Sequence, residues 1–158
     1  MAKVQRIATS LWFAGQAAEE AVNFYVSLFA DARITETTRW GETGPGTPGS
    51  VIAVRFELEG LSFVAINGNA EFPFTPAMSL SVDCETQGEV DRLWDAILAG
   101  GGTPMRCGWI TDRWGLSWQI VPSVLPKLLA GADRARADRV LKAMMGMVKL
   151  DIATLEAA

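Results

Sequence analysis

The spacing of apolar residues switches between two periods, and the switching is repeated along the chain. From Arg6 to Phe13, Ile7, Thr9, Leu11 and Phe13 alternate with Ala8, Ser10 and Trp12, which predicts a strand with one face toward a helix and the other turned away from it. The next stretch, GQAAEEAVNFYVSLF, places Ala18, Ala21, Val22, Tyr25, Leu28 and Phe29 along one helical stripe. Arg33 to Arg39 carries Ile34 and a Thr-rich remainder suited to a strand, and a Gly/Pro loop follows. Ser50 to Leu58 then alternates, with Ile52, Val54, Phe56 and Leu58 on one face and Arg55 and Glu57 on the other. Glu59-Gly60 predicts a two-residue hairpin turn into LSFVAIN, because glycine supplies the positive φ such turns need. The first half therefore reads βαβββ.

After Asn69 to Pro76, a loop with two prolines, the order starts again. Ala77 to Cys84 sets Met78, Leu80, Val82 and Cys84 against Ala77, Ser79, Ser81 and Asp83. Thr86 and Glu89 form a capping-box signature, in which a hydroxyl and a carboxylate satisfy opposite orphan amides at a helix start. Behind it Val90, Leu93, Trp94, Ile97 and Leu98 predict the buried stripe, and Gly100-Gly101-Gly102 stops the helix. Thr103 to Cys107, Trp109 to Asp112 and Leu116 to Val121 are short strand candidates, the last two joined through the turn DRWG, so the second half is again βαβββ. Ser123 to Ala158 is helical and has no counterpart in either half. Its stripe of Ala137, Val140, Leu141, Met144, Met145 and Val148 packs back on its own domain or forms a dimer contact, and Asp151 is placed to cap a final short helix.

Composition narrows what this architecture can do. The 158 residues, 49% hydrophobic and 20% charged, suit one compact domain, and a net charge of −4 argues against a nucleic-acid surface. No apolar run is long enough to span a bilayer, and the N-terminus, with Lys3 and Arg6 ahead of a brief apolar run, reads as strand into helix rather than as a signal peptide. Two cysteines, Cys84 and Cys107, fit buried small hydrophobes in a reducing compartment, and the expected location is cytoplasmic. The absence of histidine removes Ser-His-Asp triads, Cys-His dyads and imidazole metal sites. Any catalysis would run on carboxylates, Cys, Lys, Tyr or an external cofactor.

Gly44-Pro45-Gly46-Thr47-Pro48-Gly49 matches a dinucleotide fingerprint literally, but it joins two predicted strands instead of opening a helix, and it holds two prolines. Asp83 and Glu85 are most simply negative charge placed ahead of the helix beginning near Thr86. Strand parity is more informative. If Leu116, Trp118 and Ile120 face the helix, then Ser117, Gln119 and Val121 face away, as do Ser79 and Ser81, and in the first strand Ala8, Ser10 and Trp12. The composite is either an uncharged, aromatic-edged lining suited to a neutral or amphipathic organic ligand, or a simple interior whose hydroxyls are satisfied.

The duplicated βαβββ, the opening SLWFAGQAAEEAVNFYVSLF, the loop WGETGPGTPGSV, the strand end VAINGN and the stretch CGWITDRWGLSWQIVP together resemble one family. It is the PhnB-like branch of the glyoxalase/bleomycin-resistance, or vicinal oxygen chelate, superfamily, also labelled as a 3-demethylubiquinone-9 3-methyltransferase domain. The resemblance implies an α+β fold in which two βαβββ modules curl into a cup, a homodimer, and C-terminal helices. It also implies one glyoxalase-like domain over 1–158, with modules at 1–70 and 76–122 and a helical extension at 123–158. In the wider superfamily the cup holds a divalent metal, and the ligand positions carry over to Gln119, Ala8, Ala77 and Ile66 or Asn67, while Glu71 stands where a histidine is expected in related sequences. Two amide oxygens hold such an ion weakly. The expectation is a homodimer with a metal-free, cofactor-free cup around Ser10, Trp12, Asn67, Ser79 and Gln119, with Trp109 and Cys107 near its rim, binding a small organic molecule. The alternatives are an enzyme, metal-dependent or a methyltransferase, and a dimer whose cup is closed and idle.

Overall fold

The computed structural model describes residues 5–158, so Lys3, part of the signal-peptide argument, lies outside the described residues. The chain forms two compact units, Met1–Pro73 and Phe74–Ala158. No helix among the described residues is long and apolar enough to cross a membrane.

The first unit runs β1 (Thr9–Ala14), α1 (Ala18–Ser27), β2 (Ala32–Arg39), β3 (Val51–Leu58) and β4 (Leu61–Gly68), the expected βαβββ. Its sheet has the order β1-β4-β3-β2, with β1 parallel to β4 and the other pairs antiparallel. Leu11 and Phe13 of β1, Val54, Phe56 and Leu58 of β3, and Phe63 and Ala65 of β4 are buried with Ala18, Ala21, Val22 and Tyr25 of α1. This core is aromatic-rich: Phe56 stacks on Phe63 at 5.1 Å between ring centroids, and Tyr25 lies 6.3 Å from Phe56. Glu59 and Gly60 both have positive φ, at 47° and 79°, the geometry of a hairpin turn whose twist matches its strands.

Two expectations for this unit change. Ile7 is 87% exposed and precedes β1, because the side chain of Gln5, bonded to the Gly60 carbonyl and the Ser62 amide, meets the start of β4 in place of strand backbone. Val51 rather than Ile52 enters the core, since a register shift between Thr38 and Arg39 pairs Arg39 with Val51 and leaves Ile52 as the extra residue of a bulge. The loop between β2 and β3 owes its glycines to packing: a Cβ on Gly46 would lie 2.2 Å from the Trp40 ring and one on Gly44 2.8 Å from it. The dinucleotide-like spacing is a bed for an indole.

The second unit runs β5 (Ser79–Cys84), α2 (Gln87–Ala99), β6 (Thr103–Pro104), β7 (Trp109–Thr111) and β8 (Ser117–Pro122), followed by α3 (Val124–Leu129), α4 (Arg134–Met145) and α5 (Ile152–Ala157). Its sheet has the order β5-β8-β7-β6, with β5 parallel to β8. The capping box is complete, with Glu89 N donating to Thr86 Oγ1 and the Glu89 carboxylate accepting from Thr86 N. Val90, Leu93, Trp94 and Ile97 of α2 are buried with Ile110, Leu116, Trp118 and Ile120. Leu98 stays exposed, and Leu80 and Val82 are only half-buried, because α2 packs mainly on β8 and β7. Met78 lies outside β5 and is exposed. The expected strand over Thr103 to Cys107 shrinks to Thr103–Pro104, since Cys107 and Gly108 turn the chain with φ of 59° and 80°.

That turn is where the C-terminal extension docks. Cys107 N donates to Met147 O at 2.9 Å and Gly108 N to Val148 O at 2.8 Å. Gln87 grips the same tail, donating to Leu150 O and accepting from Ile152 N, while Leu125, Val140, Leu150 and Leu155 form a buried cluster. Asp151 caps α5 through Thr154 N, as expected. The expected stripe divides: Ala137 and Val140 turn inward against their own unit and Met144 packs on the buried cluster, whereas Leu141 and Met145 (60% exposed) on α4 and Val148 beyond it remain outside.

Lys149 adds charge to this docking, reaching Asp91 at 3.0 Å and Asp95 at 3.6 Å on α2. Bonds from the Gln87 amide and then from Lys149 hold the Asp91 carboxyl below its ordinary value, and the bond to Asp91 holds the Lys149 ammonium above its own. A depressed acid contributes stability above its unfolded pKa of about 3.9, which is lost as pH falls through the folded value; a raised base contributes below about 10.4, which is lost as pH rises through its folded value. The melting-temperature advantage of wild type over Lys149→Met is therefore expected to be flat across neutral pH and to shrink below about pH 4. A difference that persists unchanged in acid would sink the assignment.

Candidate functional site

Each sheet covers one face with its helix, and the residues that the sequence singles out are distributed by register between the two faces. In the first sheet Ser10 pairs with Val64 and Trp12 with Ile66, so all four share the face turned away from α1. Trp12 lies flat on this face. Its indole N–H donates to Asn69 O at 2.9 Å, and the ring occupies the space a Cβ on Gly68 would need, 2.0 Å away. Phe72, 61% exposed, meets it edge-on at 5.6 Å.

This face is not the uncharged lining that was expected. Arg55 pairs with Val64 and so stands in line with Ser10, and Arg55 faces Glu36 at 3.8 Å while Arg33 reaches Glu57. Cross-strand charge pairs along β2 and β3 keep the outer strands wet and confine the apolar, aromatic part of the face to β1 and β4.

Asn67 does not join Ser10 and Trp12. It pairs with Phe13, which puts it on the helix side, and its amide is fully engaged there. Oδ1 accepts from Ala18 N at 2.9 Å, and Nδ2 donates to Val51 O at 3.0 Å and to Gln16 Oε1 at 3.4 Å. Ala17, at the N-cap of α1, has no side chain that can cap, so Asn67 supplies the acceptor from β4. Glu71 is likewise drawn into its own loop, bonded to the Asn69 side chain through both N–H and carboxylate.

In the second sheet the expected residues do share a face. Trp109 pairs with Gln119 and Gln119 with Ser81, one row across three strands; Thr111, Ser117 and Ser79 form the next. Gln119 Nε2 donates to Ser79 Oγ at 2.9 Å, tying the two rows together. Gln119 and Ser79 are half-buried, whereas Ser117 is fully buried and its hydroxyl has no hydrogen-bond partner among the described residues. Trp109 is half-buried beside them.

Asp112 is the residue whose weight the sequence reading missed. Its carboxylate is buried: Oδ1 accepts from Trp114 N and Leu116 N, and Oδ2 from the Trp118 indole N–H, each at 3.0 Å. The pattern of an Asp two residues ahead of a Trp and three ahead of a glycine marks the turn, but nothing in it shows that a tryptophan six positions on would complete the set. Of the two free cysteines, Cys84 is buried, and burial first, with Glu89 and Asp83 adding, pushes its thiol up to about 11. It is held as an inert thiol at neutral pH. Cys107 is half-buried.

The superfamily's divalent metal finds no fitting donor set here. Ala8 and Ala77 offer no ligand side chain, the Asn67 amide is engaged at α1, and Gln119 is bonded to Ser79. Among the described residues no three of His, Cys, Asp and Glu group closely enough to hold an ion.

Comparison with known proteins agrees with this architecture. A family model described as 3-demethylubiquinone-9 3-methyltransferase matches residues 5–121. A PhnB protein from Bacillus cereus, carrying the same description, is 41% identical, with a TM-score of 0.68 over 75% of this chain and 100% of its own. A protein from Pseudomonas aeruginosa shares the fold at 20% identity and a TM-score of 0.58, over 73% of this chain and 95% of its own. So does a fosfomycin resistance protein, FosX, from Listeria monocytogenes, complexed with Mn(II) and 1S,2S-dihydroxypropylphosphonic acid, at 14% identity and a TM-score of 0.56, over 79% of this chain and 98% of its own. No curated protein sequence matches. With two βαβββ units, a sequence match across most of its length and these structural neighbours, the chain belongs to the 3-demethylubiquinone-9 3-methyltransferase (PhnB-like) family, on the glyoxalase/vicinal oxygen chelate fold.

Proposed function

We propose that this protein is a cytoplasmic, homodimeric small-molecule binder, one functional domain over 1–158, that holds an organic ligand without a metal or cofactor. The observation that carries this reading is the Trp109, Gln119 and Ser81 row with Ser79 bonded to Gln119: an aromatic edge beside uncharged hydrogen-bonding groups, half-buried at Trp109, Gln119 and Ser79 and exposed at Ser81. Ser10 and the Trp12–Phe72 pair give the first sheet an aromatic surface of its own. The exposed apolar residues Leu141 and Met145 on α4 support self-association.

The description of the family favours a second reading, a methyltransferase, and one experiment separates the two. Tryptophan fluorescence titrated with aryl amides, quinones and S-adenosylmethionine is expected to show saturable binding of aryl compounds with dissociation constants of roughly 1 mM or below, and none of the methyl donor. Binding of S-adenosylmethionine would replace the proposal with the second reading. No response to any compound would remove it. Light scattering is expected to give twice the mass of one chain.

A further inference from the structure

Ser117 breaks the rule that buried polar groups are paired, and it does so in the row next to that of Trp109, Gln119 and Ser81. It is fully buried, it stands between Ser79 and Thr111 in the register of the second sheet, and its Oγ has no hydrogen-bond partner among the described residues. Two residues along the same strand, and so on the same face, Gln119 is oriented by its bond to Ser79 Oγ. That bond uses one amide N–H. Gln119 Oε1 makes no hydrogen bond among the described residues and remains an acceptor held in a fixed direction.

We infer that Ser117 and Gln119 form a subsite for a neutral carboxamide-type group, an amide, lactam or urea, carried by an aryl body that packs against Trp109. The Ser117 hydroxyl donates to the ligand carbonyl, and Gln119 Oε1 accepts from the ligand N–H. Side chains two residues apart on a strand rise from points about 7 Å apart, which suits one acceptor contact and one donor contact to the two ends of a planar amide. Gln119 and Ser79 are half-buried, and Ser117 is covered, so a ligand reaches its hydroxyl by displacing the side chains packed over it. A carboxylate at the same place would sit over a buried hydroxyl and an amide oxygen with no cation in the row, and desolvating an unpaired charge costs far more than desolvating an amide. The inference deepens the small-molecule reading and rests on it.

Benzamide and benzoate, alike in shape but one neutral and the other an anion, test it by calorimetric titration of the full chain. Benzamide is expected to bind at least about 10-fold more tightly than benzoate. Ser117→Ala is expected to weaken benzamide by about 5- to 10-fold, the worth of one neutral hydrogen bond. The same variant removes a hydroxyl that the folded chain leaves unpaired, so its melting temperature is expected to hold or to rise by about 2–4 °C. A purely structural serine would not give a gain in stability with a loss of affinity. Benzoate binding as tightly as benzamide, or benzamide indifferent to Ser117→Ala, overturns the subsite and leaves the small-molecule reading standing; failure of both probes together with every other aryl compound overturns both.

Discussion

Replacing Asp112 by alanine is expected to lower the free energy of unfolding by about 3–5 kcal/mol, the scale of breaking a buried charged hydrogen-bond set. One carboxylate satisfies three N–H groups, two from the turn that follows it and one from the buried Trp118 ring, and the turn adds backbone bonds between Asp112 and Leu116 and from Gly115 N to Asp112 O. Alanine takes the acceptor away from all three donors, two of them buried, and removes the link that aims Trp118 into the core beneath α2. Asparagine keeps one acceptor but presents an N–H to a group that is itself a donor, so Asp112→Asn should fall between alanine and wild type. Guanidinium unfolding with an unchanged slope reads both values. A loss under about 1 kcal/mol for Asp112→Ala would mean that the carboxylate is not what closes this turn.

Gly108→Ala is expected to cost about 3 kcal/mol, and to do so by loosening the C-terminal extension. Its φ of 80° penalises any side chain, and a Cβ there would meet Leu150 Cδ1 at 2.8 Å and Ile120 O at 2.9 Å. Ile120 O belongs to the central strand and cannot move aside, so the strain falls on Leu150 and on the tail bonded at Cys107 and Gly108. Hydrogen exchange is expected to show faster exchange of the Cys107, Gly108 and Ile152 amides than of the α2 amides, since the tail opens while the helix under it stays packed. Uniform acceleration across the whole unit would instead indicate global destabilisation with no special role for the tail. The turn immediately precedes Trp109, so the same variant reports whether the extension, which lies beyond the family match at residue 121, sets the position of that ring.

Much of the candidate site was legible in strand parity. Gln119, Ser79, Ser81 and Trp109 lie on one face because side chains alternate along a strand and the ladder holds their rows in line. Asn67 was misplaced for a related reason. The sequence of β4 alternates correctly, with Phe63 and Ala65 inward, and parity alone puts Asn67 with them; reading it toward the ligand came from the family resemblance, and the structure shows an amide recruited to cap α1 because Ala17 cannot. Arg55 shows the opposite error: its parity was read correctly, but its alignment with Ser10 through Val64 depends on the β1–β4–β3 register, which no single strand contains.

The elements and their duplication follow from local pattern: two apolar periods repeated in the order βαβββ, a Thr86/Glu89 capping box, a Glu59-Gly60 hairpin and an Asp151 cap, each set by contacts within a few residues and so readable along the chain. Every partnership across long separations is settled by the way the chain packs in three dimensions. Trp40 needs Gly46 beneath it, Asp112 needs the Trp118 ring to complete its set, Gln87 grips a tail more than sixty residues on, and Ser117 is isolated because its neighbours in the sheet direct their hydrogen bonds elsewhere. Such pairings depend on where the chain returns in space, and local periodicity carries no record of that return.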